Sequence, residues 1–170
     1  LGVRHSAFAF QGQKCSACSR VIVLNTAHDI FVSRLIESTR TLLVDDPLKP
    51  GTDIGPVIDE AAAAKIRSYI QIGCDESTLA LGCDAPAGLD AAVGKPYVTP
   101  HIFTGVDPDA RLARDEIFGP VLGVIKVSSF DEALAVANDS APNYLFRNDR
   151  SPGGDRSLRE VGVEARVAFS

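Results

Sequence analysis

The stretch RVIVL at positions 20–24 decides the class of fold. After its arginine it is a continuous apolar run, mostly β-branched, and its length is typical of a buried strand. An amphipathic helix comes next, because from Asp29 to Leu43 apolar residues recur mostly at intervals of three and four. A buried strand followed by an amphipathic helix is typical of α/β proteins, in which helices cover a sheet.

The alternation of strands and helices continues along the chain. Asp59 is the expected N-cap of a helix that runs from Glu60 to about residue 72 and ends at Gly73. We therefore predict an α/β fold with a mostly parallel sheet and covering helices. The other predicted elements are strands at 78–81, 97–103 and 121–127, the last broken at Gly123, and short helices at 3–11 and 131–138.

The last part of the chain differs in composition. Residues 140–170 are rich in Arg, Gly, Pro, Asp and Asn, and their apolar residues are scattered singly. We expect a cysteine-bearing domain portion at 1–139 and a divergent, poorly ordered tail at 140–170, with one short strand at 161–169. The chain contains no Met, which indicates a truncated fold from a fragment or a processed chain.

Overall composition excludes several classes of partner. The 170 residues are 45% apolar and 23% charged, with a net charge of −5, which is ordinary for a globular domain with a core of its own. No basic face is available for a nucleic acid backbone. The longest apolar runs are much shorter than the ~20 residues of a membrane span. We expect neither nucleic acid nor membrane as a partner.

Cysteine usage favours a cytoplasmic location and no metal. The four cysteines are too sparse for a disulfide scaffold. Zinc would require a second closely spaced pair beside Cys15 and Cys18, but eight residues separate Cys74 from Cys83. A small redox protein that uses Cys15 and Cys18 remains an alternative.

Cys15 is the strongest candidate for a nucleophile. It comes after a glycine-containing turn, and residues 16–18 are expected to begin a helical turn. Backbone N–H groups at such a helix start, together with the positive charge of Lys14, favour the reactive thiolate. The alternative for Cys15 is an inert buried thiol.

Four ordered segments of the chain resemble the aldehyde dehydrogenase superfamily. FQGQKCSACSR at 10–20 resembles the segment that presents the nucleophile, and DEIFGPV at 115–121 resembles the second signature. Between them DIGPVI at 53–58 matches a Gly-Pro segment, and 130–139 matches the segment next to the second signature on its C-terminal side. The nucleophile segment is most similar to the branch that oxidises glutamate γ-semialdehyde, the Δ1-pyrroline-5-carboxylate dehydrogenases of proline catabolism.

The resemblance implies a reaction and roles for three residues. Cys15 would attack an aldehyde to give a thiohemiacetal, hydride would pass to NAD or NADP, and the resulting thioester would be hydrolysed. Glu116 would accept hydrogen bonds from the ribose beside the nicotinamide, and Phe118 would pack against the nicotinamide. If the resemblance is set aside, the expected roles are a solvated loop carboxylate for Glu116 and a core aromatic for Phe118.

The resemblance also implies partners. In the family the glycine-rich cofactor segment, the oxyanion asparagine and the general-base glutamate precede the nucleophile, whereas this chain begins fourteen residues before Cys15. We therefore expect a small-molecule aldehyde substrate and a separate cofactor-binding domain, and no NAD reduction by this chain alone. A homo-oligomer is compatible with the family. The alternative is a non-catalytic remnant or interaction module that retains the fold.

Overall fold

The structure of the chain, a computed structural model, describes residues 1–139. Six α-helices and four β-strands alternate in this part of the chain. The helices are α1 (Gly2–Phe8), α2 (Asn25–Arg40), α3 (Glu60–Glu76), α4 (Leu89–Val93), α5 (Arg111–Arg114) and α6 (Phe130–Asp139). The strands are β1 (Arg20–Leu24), β2 (Thr78–Gly82), β3 (His101–Thr104) and β4 (Val121–Val127).

The four strands form one sheet in the order β1-β4-β3-β2. Strand β4 is parallel to both of its neighbours, whereas β2 is antiparallel to β3. Gly123 of β4 lies opposite Arg20 on one side and Phe103 on the other. In β4 every residue except Lys126 is buried, as expected for a parallel strand covered on both faces. The predicted α/β fold with a mostly parallel sheet and covering helices is confirmed.

Helices cover both faces of the sheet, and each face has its own apolar cluster. Because successive side chains of a strand point to opposite faces, Ile102 packs with Phe8 of α1 and Leu35 of α2. Its neighbour Phe103 packs on the other face with Ile66 of α3. Helices α5 and α6 also contribute to this second cluster.

Helix α2 was predicted too far along the chain. It begins directly after β1 at Asn25 and ends at Arg40, before the predicted end at Leu43. The chain leaves the helix early because Val44 forms a parallel bridge with Ile54, and both side chains are buried. An extended backbone at Val44 is incompatible with continuation of the helix.

Helix α3 begins as predicted but passes through its predicted end. The Asp59 carboxylate accepts a hydrogen bond from the Ala62 N–H at 2.8 Å, which confirms the N-cap. Gly73 lies inside the helix rather than after it, and a Cβ there would lie 2.7 Å from the Phe103 ring. The glycine therefore allows close approach of helix and sheet. The helix ends at Glu76.

Two of the predicted strands also differ from the observed ones. The strand predicted at 97–103 joins the sheet only at His101–Thr104, because the buried segment that precedes it contains Pro100, which has no N–H for a strand ladder. The break predicted at Gly123 does not occur, since this glycine pairs normally on both sides. The short helices α4 and α5 were not predicted.

The tail predicted at 140–170, with its strand at 161–169, lies outside the described residues. Within residues 1–139 no helix has both the length and the apolar character needed to cross a membrane.

Candidate active site

The segment that carries Cys15 leaves α1 through an uncommon backbone conformation. Phe10, Gln11 and Gly12 have φ values of 54°, 58° and 66°. Positive φ is unfavourable for residues other than glycine and persists only where surrounding contacts enforce it. The helix predicted at 3–11 therefore ends at Phe8, and residues 9–12 form a turn in which Phe10, Gln11 and Gly12 have a left-handed backbone.

Cys15 lies in a tight turn rather than at the start of a helix. The Ala17 N–H donates to the Lys14 carbonyl at 3.0 Å, which closes a turn around an exposed Cys15. The predicted helical turn at 16–18 is wrong, because the chain extends after Ala17 and joins β1. Within residues 1–139 the Cys15 N–H has no hydrogen-bond acceptor. This donor can therefore bind an oxygen of a small molecule held at Cys15.

Cys18 has a different environment from Cys15. Its half-buried thiol donates to the Arg20 carbonyl at 3.1 Å and packs in the apolar cluster that α1 and α2 cover. Burial raises the pKa of the Cys18 thiol above its ordinary value. Cys15 and Cys18 are both free thiols. Cys18 thus fits a packing role, and its raised pKa disfavours the thiolate that a dithiol redox pair requires.

A cation lies at the surface next to Cys15. The Lys14 ammonium is 4.9 Å from the centroid of the Phe10 ring, within the range of a cation–π contact. Phe10 is 64% exposed, so the pair lies in solvent beside the turn. The Lys14 ammonium is therefore positioned by the Phe10 ring at the surface of the turn.

Helix α3 holds the second segment, residues 115–119. The Lys65 ammonium donates to the Glu116 carbonyl at 2.8 Å, and the Tyr69 hydroxyl donates to the Asp115 carboxylate at 2.9 Å. Burial, followed by that hydrogen bond, raises the pKa of Tyr69. Ile117 is buried, whereas Glu116 before it and Phe118 after it are exposed. The segment thus presents a carboxylate and an aromatic ring to solvent from a fixed backbone.

The backbone of Phe118 also adopts positive φ, at 59°. Its ring remains 42% exposed, so it is not the core aromatic of the alternative interpretation. An exposed ring on an unfavourable backbone is typical of a residue whose orientation serves binding.

The two segments meet at a contact between two glycines. A Cβ on Gly12 would lie 2.3 Å from the Gly119 carbonyl oxygen, so only glycine permits the approach. Gly119 in turn lies against Ile66 of α3, where a Cβ would be 2.5 Å from a side-chain carbon. Cys15 lies three residues after this contact, and Glu116 and Phe118 precede it by at most three. The structure therefore places the three predicted site residues on two segments in direct backbone contact.

Two glutamines that the sequence interpretation missed join a third segment to this contact. The Gln13 Oε1 accepts a hydrogen bond from the Ile58 N–H at 3.0 Å. With its amide oriented to satisfy both partners, Gln11 accepts from the Gly55 N–H at 2.7 Å and donates to the Phe10 carbonyl at 3.1 Å. In the sequence, the only local sign of this attachment is a polar residue on each side of Gly12. Among residues 1–139 no group of three or more His, Cys, Asp or Glu side chains could hold a metal ion.

Comparison with known proteins identifies one family and several relatives of similar sequence. The profile described as Aldehyde dehydrogenase family matches residues 2–142, a range that contains all four segments. The 1-pyrroline-5-carboxylate dehydrogenases of Geobacillus kaustophilus and Bacillus cytotoxicus are 46% and 43% identical over 135 residues. These alignments cover 79% of this chain and 25% of each relative, so the chain spans about a quarter of the length of the curated relatives it matches.

Solved structures are similar over the same part. A Thermus 1-pyrroline-5-carboxylate dehydrogenase with bound NAD is 43% identical with a TM-score of 0.74, covering 85% of this chain and 27% of that one. An indole-3-acetaldehyde dehydrogenase in complex with NAD+ is 35% identical with a TM-score of 0.77, covering 84% and 28%. The proline utilization A protein of Bdellovibrio bacteriovorus is 40% identical with a TM-score of 0.78, covering 85% and 14%.

Proposed function

The chain belongs to the aldehyde dehydrogenase family, and we propose that it supplies the nucleophile and part of the cofactor site for oxidation of an aldehyde to a carboxylate. The observation that carries the proposal is the contact of Gly12 with Gly119, where a Cβ would lie 2.3 Å from the carbonyl oxygen. This contact holds the turn of Cys15 beside the segment that presents Glu116 and Phe118. A nucleophile and a cofactor-binding surface must be adjacent for hydride transfer.

Cys15 is the proposed nucleophile. Its thiolate adds to the carbonyl carbon, a C–S bond forms, and the π electron pair moves to the oxygen. The Cys15 N–H, which has no acceptor within the described residues, donates to that developing oxyanion. Loss of hydride from this carbon, which a bound nicotinamide would accept, converts the thiohemiacetal to a thioester. Water cleaves the thioester, which releases the carboxylate and regenerates the thiol.

Glu116 and Phe118 are the proposed contacts for NAD or NADP. The exposed Glu116 carboxylate can accept from two ribose hydroxyls, and the exposed Phe118 ring offers an apolar face for a planar nicotinamide. These residues fit the group because Lys65 and Ile66 fix the backbone that carries them. When bound, the nicotinamide accepts the hydride.

The proposed substrate is glutamate γ-semialdehyde, which would be oxidised to glutamate in proline catabolism. Support comes from the curated relatives named 1-pyrroline-5-carboxylate dehydrogenase, at 43–46% identity. Since the matched residues make up 25% of those relatives, we propose that catalysis uses further segments that supply the rest of the cofactor site.

The alkylation rate of each cysteine as a function of pH tests this proposal. Peptide mass spectrometry assigns the modified residue, and the exposed Cys74 serves as a reference thiol in the same molecule. Ordinary thiols react at half their maximal rate near pH ~8.5. We expect Cys15 to react faster than Cys74 near neutral pH. Equal rates would favour a non-catalytic remnant.

A second measurement tests acyl transfer to the same thiol. An activated ester should acylate Cys15 in a burst of about one equivalent per chain, because the N–H available there stabilises the tetrahedral intermediate. A Cys15→Ser variant should lose the burst, whereas Cys74→Ser should keep it. A burst that survives in Cys15→Ser would overturn the assignment of the nucleophile.

A further inference from the structure

The nucleophile segment is attached to the loop at 53–58 by two glutamine side chains. Gln13 and Gln11 lie on either side of Gly12, and both accept backbone N–H groups of that loop. The Gln13 contact joins residues that are 45 positions apart in the chain. Two hydrogen bonds to one loop restrict rotation of the segment as well as its distance from the loop.

The loop is itself a fixed support. Ile54 and Val57 are each 1% exposed and pack in the two apolar clusters on opposite faces of the sheet. The Val57 N–H donates to the Pro96 carbonyl at 2.9 Å, and Ile54 bridges Val44. A hydrogen bond from this loop therefore fixes the group that accepts it relative to the sheet.

The segment that carries Cys15 needs side-chain hydrogen bonds to hold its position, because it has no regular secondary structure. Three consecutive positive φ values precede Gln13, and the turn of Cys15 is closed by a single backbone hydrogen bond. The Gln13 side chain attaches the segment two residues before Cys15, and on the other side of the turn the Cys18 N–H donates to the Ser6 carbonyl at 3.1 Å.

We propose that Gln13 is a positioning residue that holds the Cys15 turn in its reactive orientation through the Ile58 N–H, with Gln11 as the second attachment. The inference rests on the proposed function, in which Cys15 is the nucleophile. Gln13 does not touch the reacting atoms and acts through the backbone. Ile58 is 68% exposed and no apolar core contact is removed with Gln13, so we expect Gln13→Ala to fold.

The hydrogen bond is tested by amide exchange at Ile58, measured by NMR on the full 170-residue chain. We expect about three- to tenfold faster exchange in Gln13→Ala, the change that corresponds to loss of one typical hydrogen bond. Gln13→Glu keeps an acceptor and should restore slow exchange. Gln71→Ala is the matched control, because among residues 1–139 its amide donates only to Asp75, within α3. Exchange at Ile58 that is equal in Gln13→Ala and wild type would overturn the contact.

The positioning role is tested by the pH profile of Cys15 alkylation in the same variants. Gln13→Ala should slow alkylation of Cys15 at neutral pH about three- to tenfold, with the rate at Cys74 unchanged. A purely structural glutamine would change the exchange rate at Ile58 and leave the Cys15 profile as in wild type, which would overturn the role.

A failure of the proposed function can be distinguished from a failure of the Gln13 hydrogen bond. If wild-type Cys15 reacts no faster than Cys74, the nucleophile assignment fails and the positioning role fails with it. The amide exchange at Ile58 would still show in that case whether the Gln13 hydrogen bond exists.

Discussion

Substitution of Gly12 by alanine tests the contact that brings the two site segments together. The new Cβ would lie 2.3 Å and 2.6 Å from the carbonyl oxygen and carbon of Gly119 and 2.9 Å from the carbonyl oxygen of Ala7. All three are backbone atoms, so no side-chain rotation relieves the overlap. Either the nucleophile segment or the segment at 115–119 has to move.

The expected destabilisation by Gly12→Ala has two causes, and substitution of a second glycine measures one of them alone. Alanine at a φ of +66° costs about 1–2 kcal/mol through its backbone conformation. Overpacking costs about 1–3 kcal/mol, and the rigid backbone neighbours favour the upper end of that range. Gly105 has a φ of +65° with nothing within 4 Å of its missing Cβ, so Gly105→Ala carries the first cost alone. We expect destabilisation of about 3–5 kcal/mol for Gly12→Ala and about 1–2 kcal/mol for Gly105→Ala.

Urea unfolding followed by circular dichroism measures both variants. The free energy of unfolding comes from linear extrapolation, and an unchanged slope shows that both states remain comparable. Domains of this kind have a total stability of about 5–15 kcal/mol, so Gly12→Ala should leave a fold that is marginal but measurable. Equal destabilisation in the two variants would refute the reasoning, because the close approach at Gly12 would then contribute nothing.

Three further predictions concern other parts of the fold. Gly73→Ala should gain about 1 kcal/mol of helix propensity but lose about 1–3 kcal/mol against the Phe103 ring, so urea unfolding should show a net loss of about 1 kcal/mol; a more stable variant would contradict the packing. Asp59→Ala should cost about 1 kcal/mol of stability by removing the N-cap of α3, whereas Asp59→Asn should cost little in the same assay. Burial raises the pKa of Cys18, so its contribution to stability is present below the ordinary thiol pKa and is lost as the pH rises through the raised value. Stability of the wild type should therefore fall more steeply above the ordinary thiol pKa of about 8.5 than that of Cys18→Ser, and parallel curves would disprove this.

The parts of the fold that could be predicted are those that depend on local pattern. Strand β1 was predicted residue for residue, since an apolar run of this length carries its own signal. The N-cap at Asp59 was predicted because a capping side chain contacts a backbone N–H three residues away. Each feature lies within a single secondary-structure element, so residues that are close in the sequence are enough to predict it.

The parts that could not be predicted depend on contacts between distant segments. Gly73 was interpreted as a helix end, but its role is set by Phe103, which reaches it only after the sheet has formed. The positive φ values at Phe10 and Gln11 have no signature in those residue types. The end of α2 likewise depends on the bridge between Val44 and Ile54.

The candidate site was predicted from the resemblance to a family rather than from local chemistry. The helix start predicted after Cys15 is absent, so the helix dipole that was expected to activate the thiol is missing there. The proposed roles of Cys15, Glu116 and Phe118 stay predictions. The attachment through Gln13 could not be predicted, because it depends on the position of Ile58, 45 residues later in the chain.

The sheet order also has a consequence for synthesis of the chain. Among the described strands β1 pairs only with β4, and Arg20 meets Gly123, so its partner leaves the ribosome roughly 100 residues later. At about 5–20 residues per second, β1 waits about 5–20 seconds for β4. During that time the antiparallel pair β2 and β3 can already form, because both strands precede β4. The strand made last is thus the one that joins the two halves of the sheet.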